Sequence, residues 1–171
     1  MEHLASLLLA PLPVLVVVAA LTDLTRMKIP NWISGALIVA FFPAAFAAGL
    51  SPLEVGMHLG VGVLVLAAGV AQFALRIVGG GDAKLMAAAG LWLGAAALMP
   101  FLIWTAILGG AFSVVLIVGR GLAQPYIAGA PAWVATLFRP KGDIPYGVAI
   151  AIGALLALPE SGLLLTFASG R

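Results

Sequence analysis

Apolar residues in this chain form long runs separated by short polar stretches. Three runs cover residues 4–21, 33–50 and 59–78, and another starts near Pro145 and continues toward Phe167. A helix of about 20 apolar residues crosses the roughly 30 Å hydrocarbon core of a bilayer. The pattern therefore predicts a membrane-spanning helix in each run. Pro30 is expected to end the first helix, because proline disfavours a helical conformation in the residue before it.

The uncharged stretch from residue 85 to residue 119 is too long for one span. As a single helix its 35 residues would extend about 52 Å, well beyond the thickness of a bilayer. We expect two spans here, residues 83–98 and 101–118, with a break at Met99 and Pro100.

The segment 122–138 is also uncharged, but two prolines and a glycine interrupt it. It carries Tyr126 and Trp133, residue types that are common at the headgroup level, so an interfacial or re-entrant segment is favoured over a span. The predicted fold is an all-α membrane protein with a single integral membrane domain over residues 1–171. It is a bundle of six transmembrane helices, with this segment before the last helix.

Composition agrees with a membrane protein and narrows the chemistry. The chain is 64% hydrophobic and 8% charged, with a mean hydropathy of +1.22, which excludes a single soluble core. The absence of cysteine from the sequence excludes disulfides and thiolate zinc sites, and His3 and His58 are too few for a metal cluster. We predict no metal, no cofactor and no nucleic-acid partner, so any reaction would use acids.

The basic residues predict the orientation of the bundle. Seven of the eight fall in loops on one face of the predicted bundle, and only Arg171 falls on the other. The seven are Arg26, Lys28, Arg76, Lys84, Arg120, Arg139 and Lys141. Basic loops stay in the cytoplasm, so both termini are predicted to be periplasmic. The outer face would hold Glu2, solvated Glu54 and Glu160, and an interfacial His58.

Asp23 and Asp82 each lie where a long apolar run meets a basic cluster near the predicted cytoplasmic face. An ionisable group at membrane depth is costly and usually faces a partner or a water-filled cavity. Asp23 comes at the carboxyl end of its predicted helix, where a negative charge is unfavourable. The alternative for Asp23 is an ion pair with Arg26 or Lys28 in a solvated loop.

Asp82 and Asp143 also have structural interpretations. Asp82 follows three glycines and precedes an apolar helix, so it suits an N-cap. Asp143 precedes Ile144 and Pro145 at the expected start of the last helix, and we expect it to cap that helix. It is also a candidate third acid near the site.

Asp23 and Asp82 together suggest a chemistry. Two carboxyl groups on one face of a bundle cannot both ionise easily, so the pair is expected to share a proton. One carboxylate then acts as a base toward water while the other acid polarises a carbonyl, as in aspartic proteases. The glycines before Asp82 would let an extended chain approach the backbone closely.

Three motifs in order resemble those of the type IV prepilin peptidases, intramembrane aspartic peptidases with a GxGD motif. They are Asp23 followed by Lys28-Ile29-Pro30-Asn31, then Gly79-Gly80-Gly81-Asp82-Ala83-Lys84, then Lys141-Gly142-Asp143-Ile144-Pro145-Tyr146-Gly147-Val148-Ala149. The resemblance implies that Asp23 and Asp82 are the catalytic pair. The residues it implies in substrate binding or in shaping the site are Gly79, Gly80, Gly81, Lys84, Lys28, Pro30, Asn31, Asp143, Pro145 and Tyr146.

The resemblance also implies a substrate and a location. It implies removal of a short basic leader from prepilins and pseudopilins at the cytoplasmic face of the bacterial inner membrane. The short, single-domain form is similar to the branch that serves tight-adherence (Flp) pili. The cysteine-bearing insertion of larger members, which also N-methylate the pilin, is missing between the first two helices, so methylation is not predicted.

Two other classes of function remain open from the residues alone. The acids would carry protons or cations in a small transporter, or would pair with another subunit in a non-enzymatic assembly factor. Spans rich in small residues permit packing against lipid, substrate or a second copy, so a homodimer is compatible with the sequence.

Overall fold

The computed structural model describes residues 7–123, 126–127 and 129–168, and these residues form helices joined by short loops. The α-helices named in this description are, in chain order, α1 Pro11–Arg26, α2 Asn31–Ala47, α3 Pro52–Ala74, α4 Gly80–Ala123, α5 Ala132–Leu137, α6 Gly147–Ala157 and α7 Gly162–Ala168, and residues 7–9 are helical before α1. The described residues contain no strand, which confirms the all-α prediction for them.

The first helix continues past the apolar run 4–21 but ends before Pro30, where it was expected to end. α1 continues to Arg26 and stops at Met27, which adopts a left-handed conformation (φ 52°) and donates its amide to the Asp23 carbonyl. Pro30 instead precedes the first residue of α2 in an extended conformation. The loop between the first two helices therefore begins only at Met27, and Asp23 belongs to the last turn of α1.

The loop expected at residues 51–58 is the beginning of α3. Ser51 and Glu54 form a capping box, in which each side chain accepts a hydrogen bond from the other residue's backbone amide. Such reciprocal caps satisfy two amides that a helix start leaves free, so the helix begins at Pro52. His58 is consequently a helix residue. Its side chain is buried, and the predicted interfacial position is wrong.

The predicted break at Met99 and Pro100 is also wrong. The helical ladder of α4 is interrupted at Gly94, which has a φ of 69° and a ψ of −173°, whereas Pro100 lies inside the second part of the helix. A proline removes one backbone hydrogen bond and can remain within a helix. A glycine held at positive φ leaves the helical conformation altogether.

The break reverses the direction of α4. In a straight helix Asp82 and Gly109 would lie about 40 Å apart. Gly109 instead packs against Tyr146, and Tyr146 lines the same cavity as Asp82. The two parts of α4, residues 80–93 and 95–123, are thus antiparallel, and the two spans predicted here stay a prediction.

His58 occupies the break in α4. Its Nδ1 lies 2.7 Å from the carbonyl oxygen of Leu91, one of the carbonyls that the interrupted ladder leaves without a helical donor. A Cβ on Gly94 would lie 2.6 Å from the imidazole Cε1. The positive φ and the imidazole both require glycine at this position.

The last predicted span is bent. α6 is followed by a 3₁₀ turn over Leu158–Glu160 and then by α7, and the bend between the two parts is 43°. Ser161 is fully buried, and its hydroxyl accepts a hydrogen bond from the amide of Leu164 in the first turn of α7. In the described part of segment 122–138, the six-residue helix α5 is far too short to cross a bilayer.

The buried core lies where α1, α2, α4 and α6 meet. Trp92 of α4 is fully buried there and donates its indole N–H to the Leu37 carbonyl of α2 at 2.8 Å. α3 packs on the first part of α4 through small residues. Gly69 lies against Ala83, and Gly90 lies against Val65. This close approach is typical of helix contacts in lipid.

Three helices are long and apolar enough to cross a membrane, or four if α6 and α7 form one bent span. They are Leu7–Arg26, α3 and α4, while the shorter α2 is also apolar. In each of the three long helices, only 17% to 22% of the most apolar 18-residue stretch is buried inside the protein, so much of their apolar surface faces outward. The six predicted spans stay a prediction. The two termini, including Arg171, lie outside the described residues, so their predicted location stays a prediction as well.

Candidate active site

Asp23 is buried in the last turn of α1, with 7% of its surface exposed. Its Oδ2 atom accepts a hydrogen bond of 2.8 Å from the backbone amide of Gly147, the first residue of α6. The free amides at a helix start favour a negative charge, so α6 provides a suitable partner for this carboxyl group.

Gly147 fits this position because it has no side chain. A Cβ there would lie 2.9 Å from Asp23 Oδ2 and 3.0 Å from Ile29 Cδ1. Any larger residue would therefore push the amide away from the carboxyl group that it binds.

Asp82 lies in the first turn of α4, three residues after Gly79. The Gly79 carbonyl accepts the first helical bond from Ala83, so Gly79, and not Asp82 as predicted, occupies the capping position. A backbone hydrogen bond from Gly79 reaches the Asp82 carboxyl group. Asp82 thus stabilises the start of α4 as the acidic member of a capping box does.

The loop between α1 and α2 links the elements that carry the two acids. A Cβ on Gly81 would lie 3.2 Å from the Cβ of Ile29, and the Ile29 side chain also reaches Gly147. Ile29 therefore packs against the start of α4 and the start of α6 together. This contact explains why the residue before Asp82 is glycine.

Asp23 and Asp82 line one cavity of about 1260 Å³. The two carboxyl groups are close enough to interact electrostatically. The walls come from the end of α3 with the following turn, from the second part of α4, and from the loop before α6. The other lining residues are Met27, Gln72, Phe73, Ala74, Arg76, Ile77, Val78, Gly79, Met86, Leu102, Thr105, Ala106, Ser113, Gly142, Asp143, Ile144 and Tyr146.

Three of the other predicted site residues, Gly79, Asp143 and Tyr146, line this cavity. The remaining ones lie outside its lining: Gly80, Gly81, Lys84, Lys28, Pro30, Asn31 and Pro145. Lys84 donates to the Asn31 side chain at 2.9 Å, which joins α4 to α2. Pro145 is fully buried, and Lys28 is exposed in the loop after α1. All the predicted roles in binding and catalysis stay predictions.

Asp143 does not cap the last helix. α6 begins at Gly147, and its capping position is held by Tyr146, whose side chain provides no cap. Asp143 is four residues upstream, exposed at the cavity. It therefore adds a third carboxyl group to the lining, as the alternative interpretation proposed.

Two contacts at the site were not evident from the sequence. Gly109 packs against Tyr146 so closely that a Cβ would collide with the ring and its hydroxyl. Arg120, which the sequence placed in a basic loop, is buried against the loop before α6. Neither contact follows a local motif, since both join residues far apart in the chain.

The groups of the cavity lining that suit acid–base chemistry are the carboxyl groups of Asp23, Asp82 and Asp143. The described residues contain no group of three or more His, Asp or Glu side chains placed to hold a metal ion. Two buried carboxyl groups in a shared cavity can act as base and acid toward a water molecule. They can therefore support hydrolysis without a resident cofactor.

The profile of the type IV leader peptidase family matches residues 10–114, well over half of the chain. This range includes both Asp23 and Asp82. No curated protein and no solved structure matches the chain significantly. The family and the apolar helices together identify a peptidase embedded in a membrane. The chain belongs to the type IV leader peptidase family.

Proposed function

We propose that this protein is an intramembrane aspartic endopeptidase that removes the leader peptide from type IV prepilins and pseudopilins of the Flp type. The observation that carries the proposal is the cavity shared by Asp23 and Asp82, whose carboxyl groups interact although they come from different helices. Family membership supplies the class of substrate.

In the proposed reaction, a water molecule lies between the two carboxyl groups. One carboxylate takes a proton from the water, whose oxygen attacks the carbonyl carbon of the scissile peptide bond. The other carboxyl group, protonated, donates to the carbonyl oxygen. The tetrahedral diol then collapses as the C–N bond breaks. The leaving nitrogen takes the proton that the first carboxylate removed from water, and the second carboxylate takes a proton back from a diol hydroxyl, which gives a carboxylic acid and an amine.

The surrounding residues have supporting parts in this reaction. The Gly147 amide holds Asp23 Oδ2, so it fixes the direction of one carboxyl group before substrate arrives. The backbone hydrogen bond from Gly79 holds the Asp82 carboxyl group at the start of α4. The cavity lies between the end of α3 and the second part of α4, and we propose that the junction between leader and pilin helix enters there.

The proposed site faces the cytoplasm. Arg76 lines the cavity, and Arg120 contacts the loop that carries Asp143, so basic residues cluster at the same end of the bundle as the acids. Basic residues near the ends of spans favour the cytoplasmic side. This supports an inner-membrane enzyme that meets a leader that has not crossed the membrane.

The test is an assay of purified protein with a Flp-type prepilin in detergent, read by the mass of the product. Asp23→Asn and Asp82→Asn should each abolish cleavage while the melting temperature stays near that of the wild type. Glu160→Gln is the matched control, because Glu160 is exposed and lies outside the cavity lining. Full cleavage by either Asn variant would exclude the carboxyl pair. An intact prepilin with the wild type would favour the transporter or the assembly factor.

A further inference from the structure

Arg120 is a buried cation in the last turn of α4, with 8% of its surface exposed. Burying a charge is costly unless its donors are satisfied. Three different nitrogens of the side chain donate to three backbone carbonyls: Nε to Leu137 at 3.0 Å, Nη1 to Gly142 at 2.7 Å and Nη2 to Asp143 at 2.6 Å. One side chain thus holds both ends of segment 137–143.

After Leu137, the last residue of α5, the segment that Arg120 holds has no regular structure beyond turns. Lys141 adopts a left-handed conformation with a φ of 59°, and the amide of Gly142 donates to the Arg139 carbonyl. A Cβ on Gly142 would lie 3.1 Å from that carbonyl and 3.4 Å from Arg120 Nη2. The close turn and the guanidinium therefore depend on each other.

The same segment leads directly to the hydrogen bond on Asp23. Asp143 and Gly147 are separated by only Ile144, Pro145 and Tyr146. Pro145 is fully buried, and its ring fixes one backbone dihedral and restricts the residue before it. A displacement at Asp143 is thus carried through three constrained residues to the Gly147 amide.

We propose that Arg120 is a positioning residue for Asp23. By fixing the carbonyls of Gly142 and Asp143, its guanidinium sets the place of the Gly147 amide and, through it, the direction of the Asp23 carboxyl group. This inference rests on the proposed function, because it assigns a role in the reaction of the same site. Arg120 itself does not line the cavity.

The shape of the side chain matters as well as its charge. A guanidinium presents five N–H donors in a rigid planar fork, whereas a lysine ammonium is a compact point charge on a flexible stem. Arg120→Lys keeps a cation at the carboxyl end of α4, where it is favourable, but cannot bond three carbonyls in these directions. Arg120→Lys therefore tests the directed hydrogen bonds to the three carbonyls while the positive charge stays in place.

The experiment compares Arg120→Lys with Arg139→Lys, the same substitution at an exposed position in the same segment. Prepilin cleavage is measured to give kcat and KM separately, and thermal unfolding is measured in detergent. Arg120→Lys should lower kcat about 10- to 100-fold with KM within about twofold, since misplacement of a catalytic group by about 1 Å costs up to that much. Arg139→Lys should keep both constants.

Two further measurements keep the proposal open to refutation. Hydrogen exchange at the Gly147 amide should become faster in Arg120→Lys and stay unchanged in Arg139→Lys. Added methylguanidine should restore cleavage to Arg120→Ala and should leave Asp23→Asn inactive. An unchanged kcat in Arg120→Lys, a loss explained wholly by a lower melting temperature, or unchanged Gly147 exchange would each overturn the proposal.

The outcome for Arg120 is distinguishable from the outcome for the proposed function. If wild-type protein leaves prepilin intact, the proposed function fails whatever Arg120 does. If the wild type and Arg139→Lys cleave but Arg120→Lys shows no kcat defect, the proposed function stands and only the role of Arg120 is wrong.

Discussion

The backbone amide of Gly147 donates a 2.8 Å hydrogen bond to the carboxyl group of Asp23, across 124 positions of sequence. The contact joins the end of α1 to the start of α6, the first and the penultimate helix of the described chain. It needs a residue without a side chain at position 147 and a carboxyl group at position 23. Several predictions concern glycines because such close contacts shape the site.

Gly147→Ala should strongly reduce cleavage. The added methyl would lie 2.9 Å from Asp23 Oδ2 and 3.0 Å from its Cβ, so the amide and the carboxyl group must separate. We expect kcat to fall on the order of 100-fold through misplacement of a catalytic group. Cleavage kinetics measure this. Gly110→Ala, at a helical position with nothing within 4 Å of the new Cβ, serves as control, and an active Gly147→Ala would contradict the role of the contact.

Gly109→Ala should lower both stability and activity. A Cβ at position 109 collides with the ring of Tyr146, which lines the cavity, whereas its neighbour Gly110 has free space around it. We expect Gly109→Ala to cost about 1–3 kcal/mol in overpacking. Gly110→Ala should be neutral or slightly stabilising, because alanine favours helix by about 1 kcal/mol over glycine.

A double-mutant cycle identifies the partner of Gly109. Tyr146→Ala should recover much of the stability that Gly109→Ala loses, because the colliding ring is then absent. Thermal unfolding in detergent measures all four proteins. Additive effects of the two substitutions would show that the collision with Tyr146 is not the cause.

Gly94→Ala should destabilise the protein with little direct effect on the acids. Alanine at a φ of 69° and a ψ of −173°, a region that is nearly exclusive to glycine, costs about 1–3 kcal/mol, and its methyl would also meet the His58 imidazole at 2.6 Å. His58→Ala should relieve the collision but not the backbone strain, so rescue should be partial. Complete rescue in thermal unfolding would mean that backbone strain contributes nothing. Gly60→Ala, with nothing near its Cβ, is the control.

Thr105→Val should not lower stability. The Thr105 hydroxyl is buried and has no hydrogen-bond partner among the described residues. Replacing such a group by a methyl of similar shape is nearly neutral or stabilising. Thermal unfolding tests this. A large loss of stability would show that the hydroxyl has a partner, such as a bound water.

The sequence predicts those features of the fold that depend on local composition. Charges at membrane depth are rare, which is why Asp23 and Asp82 could be identified, and both do line one cavity. Apolar run lengths predicted helices in α1, α2 and α3, although their ends moved by several residues. Those ends depend on caps such as Ser51 with Glu54, and the pattern of apolar residues does not show them.

The features that were missed depend on contacts between distant residues. Gly94 lies in a stretch of small apolar residues, so nothing next to it indicates a break. The imidazole that leaves no room for a Cβ at this position belongs to His58, 36 positions earlier. From the sequence alone, Pro100 was therefore the better candidate for the break. Arg120 looked like a loop cation because its carbonyl partners lie 17 to 23 positions later. Neither relationship has a signature in the neighbouring sequence.

The reversal at Gly94 bears on how the chain enters a bilayer. The chain changes direction at Gly94 alone, so no hydrophilic loop connects the two parts of α4. The first part therefore cannot insert into the bilayer while a polar connection stays in water. We expect the two parts of α4 to pass from the translocation machinery into the bilayer together, as a helical hairpin. A protease added on the side of the membrane opposite to the acids should not cleave the chain at the reversal around Gly94.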